Sequence, residues 1–199
     1  MNYIFHKLIH RIVEIYINDV VVKSKGYKGH LAVLLETLEC TRKHGLKMNP
    51  NKCAFGVSAG EFLGFMVHER GIEVGQKSIK AIDVVVPPTF KAQLQSLIDK
   101  INFIKRFISN LSERILPISP LLKLKSDHEF KWGDVQQKAF EEIKEYMKAP
   151  PLLTPPQQGN PFKLYVSAHN YTIVLALMQE FEGKERVVLY LSRRLLDPE

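Results

Sequence analysis

Few side chains in this sequence have the type and spacing that chemistry requires. His6 and His10 are four residues apart, so one helical face could present both to a zinc ion. No second pair of ligands follows at zinc-finger spacing, so a surface or packing role is the better interpretation. Ser24, Ser58 and Ser109 lack the Gly-x-Ser-x-Gly setting of a hydrolase nucleophile.

Basic side chains point to one kind of partner, although they do not establish it. The net charge is +7, and residues 149–199 hold as many acidic as basic side chains, so the excess lies in residues 1–148. Such a balance permits binding to a phosphate backbone, and a solvated basic face explains it equally well. The residues concerned are Lys23, Lys25, Arg42, Lys43, Lys47, Lys52, Lys100, Lys105, Arg106 and Arg114.

The first elements are a β-hairpin and a helix. Two β-rich runs, 11–16 and 20–23, flank Ile17-Asn18-Asp19, and Asn and Asp are turn formers. A helix is predicted from Lys28 to His44, with one apolar stripe and Gly45 just past its end. The stripe consists of Leu31, Leu34, Leu35 and Leu38.

The middle of the chain changes from short strands to helices. Residues 46–74 suggest short strands broken by turn formers, and residues 76–85 a short helix that ends at Pro87-Pro88. Apolar spacing predicts a helix over 91–108, an interrupted helical piece over 112–123 and a clear amphipathic helix over 134–148.

The last quarter begins with a proline-rich segment. Residues 149–161 hold five of the eleven prolines, which favours an extended linker and a domain boundary. Three strands are predicted after it, at 162–166, 171–179 and 186–191, with Glu182-Gly183-Lys184 as a turn.

Composition sets the class of protein. The chain of 199 residues is 45% apolar and 25% charged, which is typical of globular domains. No apolar run is long enough to span a bilayer and no signal peptide is evident, so no membrane partner is expected. Cys40 and Cys53 are isolated, which favours free thiols and an intracellular location in the cytoplasm or nucleus.

A resemblance begins at Tyr16-Ile17-Asn18-Asp19, which is similar to the Tyr-x-Asp-Asp hairpin of reverse transcriptases. Five further blocks follow in the same order as in that family, most similarly in gypsy-type long-terminal-repeat retrotransposons of plants. They are Gly45-Leu46-Lys47 with Asn51-Lys52-Cys53, Phe62-Leu63-Gly64-Phe65, Leu94–Ile108, Phe130-Lys131-Trp132 with Ala139-Phe140, and Leu164-Tyr165-Val166 with Leu177-Met178-Gln179 and Tyr190-Leu191-Ser192-Arg193.

The resemblance implies an α+β fold. It would comprise a partial reverse transcriptase palm (1–88), helical thumb and connection (89–148), a proline-rich linker (149–161) and an incomplete RNase H-like antiparallel sheet (162–199). The remainder of a polyprotein would then be a partner.

The resemblance also implies two-metal catalysis, for which the residues are largely wrong. Nucleotide addition in the family uses Mg²⁺ held by carboxylates. Asn18 stands where the metal-binding Asp belongs, and Asp19 is a residual acid at the second position. Ser167 replaces the first RNase H aspartate after Leu164-Tyr165-Val166. We therefore expect no confident metal site and no productive Mg²⁺ binding, and the simplest interpretation of Asn18-Asp19 is a hairpin turn.

The binding surface is better retained than the acids. By resemblance, Phe62, Leu63 and Gly64 form a primer grip, and Lys47, Lys52, Lys105 and Arg106 contact RNA, DNA or an RNA–DNA hybrid through its backbone. Phe65 also belongs to this primer-grip block, but aromatic residues in an apolar strand are more often core residues, so Phe62 and Phe65 both have a structural alternative.

Three functional hypotheses remain open from the sequence. The first is a catalytically inactive fragment of an RNA-directed DNA polymerase and RNase H polyprotein. The second is a non-catalytic basic module that binds RNA, DNA or their hybrid. The third is a chain without independent function, whose unpaired sheet edges favour aggregation.

Overall fold

A computed structural model describes residues 1–24, 26–126 and 129–195, so Lys25 and residues 196–199 of the predicted RNase H-like segment lie outside the described residues. The backbone forms two compact units, Met1–Phe62 and Leu63–Glu199. Each unit is described separately below.

The first unit contains the predicted hairpin. β1 (Val13–Tyr16) and β2 (Asp19–Val22) pair antiparallel, with Val13 opposite Val22 and Tyr16 opposite Asp19. A small apolar core of Phe5, Leu8 and Val13 lies beneath it. Residues 1–12 form successive turns and not a regular helix, so His6 and His10 do not share the helical face that zinc binding would need.

Helix α1 (Tyr27–Lys43) confirms the predicted helix, but its buried face differs from the predicted stripe. Leu31 is 77% exposed and Leu35 is 58% exposed, whereas Thr37 and Thr41 are buried. The threonine hydroxyls can be buried because they donate hydrogen bonds to backbone carbonyls of the preceding turn, at 2.9 and 2.7 Å. Leucine spacing alone therefore identified the helix correctly and its inner face incorrectly.

The first unit ends with short elements. A 3₁₀ turn at Pro50–Lys52 is capped by the Asn49 side chain, which accepts a hydrogen bond from the Asn51 amide at 3.1 Å. Strand β3 (Ala59–Phe62) follows. The short strands predicted from residue 46 onward are therefore wrong for residues 46–58, whose regular structure is limited to this 3₁₀ turn, because the turn formers there leave no run of residues long enough to pair.

The second unit begins with an antiparallel hairpin and a short helix. β4 (Phe65–His68) pairs with β5 (Gly71–Val74), and α2 (Gln76–Asp83) follows directly. α2 confirms the helix predicted before the two prolines, and Ile82 is the buried residue on the apolar face of this helix.

The thumb-like helix is shorter than predicted. α3 (Lys91–Phe103) buries Leu94, Leu97, Ile98 and Ile101, and the backbone then tightens into a 3₁₀ turn at Lys105–Phe107. Ile104 and Ile108 remain buried, so the apolar period continues although the helix ends. We call residues 104–110 the basic turn, because its exposed side chains include Lys105 and Arg106.

The remaining helical elements enclose the main core. α4 (Leu111–Arg114) and a 3₁₀ turn at Ser119–Lys123 confirm the interrupted helical piece, and α5 (Asp134–Lys148) spans the predicted residues. α5 contributes four buried side chains, Ala139, Phe140, Ile143 and Met147, which pack with α2, α3 and β5 in one cluster.

The proline-rich segment is extended, as predicted, but it is held against the rest of the second unit. Leu153 is buried, and it exchanges two backbone hydrogen bonds with Ile72 of β5, at 2.9 and 3.0 Å. The amide of Thr154 donates to the carbonyl of Val187 at 2.7 Å. This segment therefore joins α5 to the last sheet along the chain, and it also links the β4–β5 hairpin to that sheet through hydrogen bonds.

The last three strands form an antiparallel sheet with the order β6-β7-β8, comprising Phe162–His169, Thr172–Phe181 and Lys184–Arg194. Each strand is longer than predicted, and Glu182 and Gly183 form the turn between β7 and β8 with φ of 50° and 75°. All eight residues of β6 are exposed, whereas β8, the other edge strand of this sheet, is partly buried. The α+β architecture is confirmed.

No helix within the described ranges is long and apolar enough to cross a membrane.

Candidate nucleic-acid interface

The hairpin tip holds Asn18 and Asp19, the two residues at which the resemblance implies a pair of metal-binding acids. Ile17 and Asn18 form the two-residue turn, and Asp19 begins β2 opposite Tyr16. Ile17 has a φ of 53°, a left-handed conformation that costs a branched residue about 1–3 kcal/mol. Asn18 and Asp19 are both exposed.

The donor atoms at this tip fit magnesium poorly. Mg²⁺ prefers charged oxygen ligands in octahedral geometry, and the tip offers one carboxylate next to a neutral amide. Across the described ranges, no three His, Cys, Asp or Glu side chains are grouped so that they could hold a metal.

Ser167 lies in the middle of β6, opposite Val174. Its hydroxyl is exposed and lies 3.3 Å from Nε2 of His169. A hydroxyl is neutral at physiological pH, so this position cannot supply the charge of the aspartate that the resemblance implies.

The turn that precedes β4 has a backbone geometry that restricts its residues. Leu63 and Gly64 have φ of 54° and 76°. A Cβ atom on Gly64 would lie 2.9 Å from Cζ of Phe103, and the Gly64 carbonyl accepts a hydrogen bond from the Gly75 amide at 3.2 Å. Gly64 therefore allows this turn to pass close to the end of α3.

Phe65 connects this turn to the basic turn. Its ring stacks on Phe103 at 5.0 Å and on Phe107 at 5.5 Å between centroids. The guanidinium carbon of Arg106 lies 5.8 Å from the centre of the Phe65 ring, which is within cation–π range. The structure thus brings Leu63, Gly64 and Arg106 to one region of the second unit.

Lys105 and Arg106 are exposed and carry their charge without a carboxylate partner among the described residues. Two neighbouring cations on a short, well-anchored turn suit a phosphate backbone, which presents regularly spaced negative charges. The geometry can therefore hold nucleic acid through contacts that do not depend on base sequence.

The other three residues expected to contact nucleic acid belong to the first unit. Lys47 and Lys52 are exposed, and Lys52 ends the 3₁₀ turn at Pro50–Lys52. Phe62 ends β3 and is partly buried. Their expected role in binding remains a prediction.

Sequence reasoning missed how the basic turn is fixed. The apolar spacing of residues 91–108 includes Phe107 and leaves Phe103 unassigned. Phe65 belongs to the block that resembles a primer grip, and its alternative interpretation is a core residue of an apolar strand. The available signal was the recurrence of phenylalanine at positions 65, 103 and 107, but nothing in the sequence shows that the three rings meet.

Comparisons with known proteins agree with this geometry. Residues 1–67 match the family described as reverse transcriptase (RNA-dependent DNA polymerase). Residues 132–199 match the family described as an RNase H-like domain found in reverse transcriptase.

Curated relatives are polyproteins of mobile elements. The retrovirus-related Pol polyprotein from transposon opus of Drosophila melanogaster is 27% identical over 201 residues, covering 96% of this chain and 20% of the relative. The transposon Tf2-3 polyprotein of Schizosaccharomyces pombe is 28% identical over 138 residues, covering 69% of this chain and 10% of the relative. The chain therefore spans a fifth or less of these relatives.

Solved structures with the same fold come from foamy virus. The protease-reverse transcriptase in complex with RNA/DNA hybrid has a TM-score of 0.84, and its dRH form in complex with double-stranded DNA has a TM-score of 0.87. Both are 20% identical and are matched over 98% of this chain, covering 26% and 34% of theirs respectively. This chain thus carries a stretch that matches the reverse transcriptase family at residues 1–67 and a stretch that matches the RNase H-like family at residues 132–199, and over most of its length it is similar to part of a retrotransposon polyprotein.

Proposed function

We propose that this part of the polyprotein holds an RNA–DNA hybrid or a DNA duplex and does not itself catalyse DNA synthesis or RNA cleavage. The observation that carries the proposal is the pair of exposed cations, Lys105 and Arg106, on a turn anchored by the Phe65 stack. The foamy viral neighbours, which were solved with RNA/DNA hybrid and with double-stranded DNA, support the same class of ligand here.

Two substitutions support the absence of catalysis. Asn18 and Ser167 each stand where the resemblance implies a metal-binding carboxylate, and neither side chain carries charge. Asp19 remains as an exposed acid near the hairpin tip. A single carboxylate does not hold Mg²⁺ in a catalytic position, so Asp19 alone does not restore the metal site. Magnesium is therefore the cofactor of the family and is not bound productively by this chain.

The binding experiment is a titration of the chain with an RNA–DNA hybrid at several salt concentrations. We expect the logarithm of the affinity to fall linearly with the logarithm of salt, with a slope of about −0.9 per phosphate contacted. The Lys105→Ala/Arg106→Ala variant should weaken binding and reduce that slope by about 2, one for each lost phosphate contact.

The matched control is Lys131→Ala/Lys138→Ala, which removes the same charge from two exposed positions elsewhere in the second unit. Equal losses in the two variants would show that only net charge matters. Undetectable binding by the unmodified chain at low salt would refute the proposal.

Catalysis is tested on the same preparation. With Mg²⁺, a primed RNA template and deoxynucleotides, we expect no extended primer, and with a hybrid alone no cleaved RNA. Template-directed extension or RNA cleavage by the purified chain would contradict the second half of the proposal.

The finer assignment is also a proposal. We infer a gypsy-type, plant-like element whose segments are a palm (1–88), thumb and connection (89–148), linker (149–161) and RNase H-like part (162–199). The free thiols of Cys40 and Cys53 support an intracellular location, in the cytoplasm or nucleus. We also propose the remainder of a polyprotein as a partner, and sequencing the native transcript tests whether the reading frame continues into further polyprotein segments.

A further inference from the structure

The basic turn is held by a side chain from a distant helix. Tyr146 of α5 donates a hydrogen bond from its hydroxyl to the carbonyl of Phe107, at 3.1 Å. The same oxygen accepts a hydrogen bond from the amide of Ser109, at 3.2 Å. One phenol therefore pairs with two backbone groups of the basic turn that lie just after Lys105 and Arg106.

A second contact fixes the phenol itself. The guanidinium of Arg114 lies 4.7 Å from the centre of the Tyr146 ring, and its Nε donates to the carbonyl of Ser109 at 3.0 Å. Arg114 thus contacts both the ring and the turn, so that α4 and α5 hold the same stretch of backbone.

The inner side of the turn is equally constrained. Ile104, Phe107 and Ile108 are fully buried, and Phe107 also stacks on Phe65. With its apolar side chains packed inward and its backbone bonded to Tyr146, the turn can direct Lys105 and Arg106 only outward.

We propose that Tyr146 is a positioning residue, whose hydroxyl orders the basic turn and so presents Lys105 and Arg106 as a fixed pair to the nucleic-acid backbone. This inference rests on the proposed binding function and adds a determinant that lies 40 residues further along the chain. Its physical basis is preorganisation, because a turn ordered before binding loses less conformational freedom when the ligand arrives.

Tyr146→Phe is the decisive variant. It keeps the ring, the packing and the charge, and removes only the oxygen that bonds Phe107 and Ser109. We expect affinity for the hybrid to fall by about threefold to tenfold, the effect of losing one or two net hydrogen bonds. Tyr165→Phe is the matched control, since it also loses a hydroxyl hydrogen bond, to Glu185 of the sheet, and should bind as the unmodified chain does.

The salt dependence separates positioning from general stability. In Tyr146→Phe the slope should move toward that of Lys105→Ala/Arg106→Ala, although no charge has been removed. Adding Tyr146→Phe to that double variant should cause no further loss, because the cations that Tyr146 positions are absent. An unchanged slope or an additive loss would show that Tyr146 acts on folding alone.

Amide hydrogen exchange tests the structural step independently of the ligand. The Ser109 amide should exchange faster in Tyr146→Phe, whereas amides in the centre of α3 should not. Unchanged exchange at Ser109 overturns the inference even if hybrid binding is confirmed. Absent binding by the unmodified chain overturns the proposed function, and with it the role of Tyr146 in affinity.

Discussion

At Asn18 the side chain is neutral where the resemblance implies an aspartate, and the backbone forms the expected turn. Asn suits a tight turn about as well as Asp, so the pairing of Tyr16 with Asp19 persists without the acid. Ser167 is a similar case, because it pairs with Val174 in the sheet although its side chain is neutral where the resemblance implies an aspartate. Single residues can therefore remove the proposed metal chemistry without disturbing either fold.

Gly64 allows a test of the turn beside Phe103. Gly64→Ala should destabilise the chain by about 2–3 kcal/mol, because it adds a left-handed strain of about 1–2 kcal/mol to a contact with the Phe103 ring. Urea unfolding measures the change. Gly45→Ala is the control, since Gly45 has a φ of 64° but open space around it, and should cost about 1–2 kcal/mol from strain alone. Equal costs would show that the ring contact contributes nothing.

Glu185 should contribute a pH dependence to the stability of the sheet. Hydrogen bonds from Lys163 and Tyr165 hold the pKa of its carboxyl below the usual range. A carboxyl with a lowered pKa in the folded state stabilises the fold at neutral pH, and this contribution is lost as the pH falls through the folded pKa. We expect Tm to fall less between neutral and acidic pH in Glu185→Gln than in the unmodified chain.

The control for this titration is Glu182→Gln in the adjacent exposed turn. It also removes one carboxylate from the same hairpin but none of the hydrogen bonds to Lys163 and Tyr165. The idea fails if both variants show the pH profile of the unmodified chain.

Among the helices, α5 stabilises its neighbours through one lysine as well as through its apolar face. The ammonium of Lys144 donates to the carbonyls of Asp83 and Val85, at 2.5 and 2.7 Å, where α2 ends. Its nitrogen also lies 4.7 Å from the centre of the Phe140 ring. A cation placed there neutralises the negative end of the α2 dipole and pairs its final carbonyls.

Lys144→Met should therefore lower the free energy of unfolding by about 1.5–3 kcal/mol, the range for a hydrogen bond to a charged group. Lys148→Met, which removes an exposed amine paired with Glu145 in the last turn of the same helix, should change it by less than about 1 kcal/mol. Urea denaturation of the two variants compares them directly. Similar losses would mean that Lys144 contributes only as another surface charge.

Periodicity predicted elements well and their inner faces less well. α5 matches its predicted bounds because its apolar residues, Trp132 excepted, recur within one uninterrupted helix. The helix predicted over 91–108 is too long, since α3 ends at Phe103. The buried Ile104 and Ile108 continue the apolar spacing through a 3₁₀ turn, and apolar spacing alone does not distinguish that turn from an α-helix. In α1 the buried threonines bond to their own helix, so polarity misled the prediction of the inner face.

The candidate site was predictable in its residue types but not in its assembly. The resemblance identified Gly64, Lys105 and Arg106 by motif. Their grouping depends on contacts of Phe65 and Tyr146 with residues about 40 positions away, and no local pattern encodes such contacts. Tyr146 has no motif of its own, and only the structure shows that its hydroxyl meets the basic turn.

For the molecule as a whole, the edge strand β6 should govern association. Its residues are all exposed, and Leu164 and Val166 are each 60% exposed. An uncovered apolar edge provides a template for pairing with another strand. We therefore expect the average molar mass measured by light scattering to rise with protein concentration.

Val166→Lys should reduce that rise, because a charge on an edge strand opposes pairing. Val84→Lys adds the same charge at an exposed position after α2 and should leave association unchanged. A monodisperse monomer at all concentrations, or equal effects of the two variants, would contradict the role of this edge.

The proline-rich segment has a mechanical consequence. Leu153 is bonded to β5, Thr154 is bonded to β8, and the buried side chain of Gln179 bonds the backbone of Gln157 and Asn160 at 2.8–2.9 and 2.7 Å. A peptide with this many hydrogen bonds has little backbone freedom. A protease, however, needs several residues of unbonded, extended backbone in its active site. This connector therefore holds the hairpin and the last sheet in a fixed arrangement, and we expect it to resist a protease that would cut an ordinary interdomain linker first.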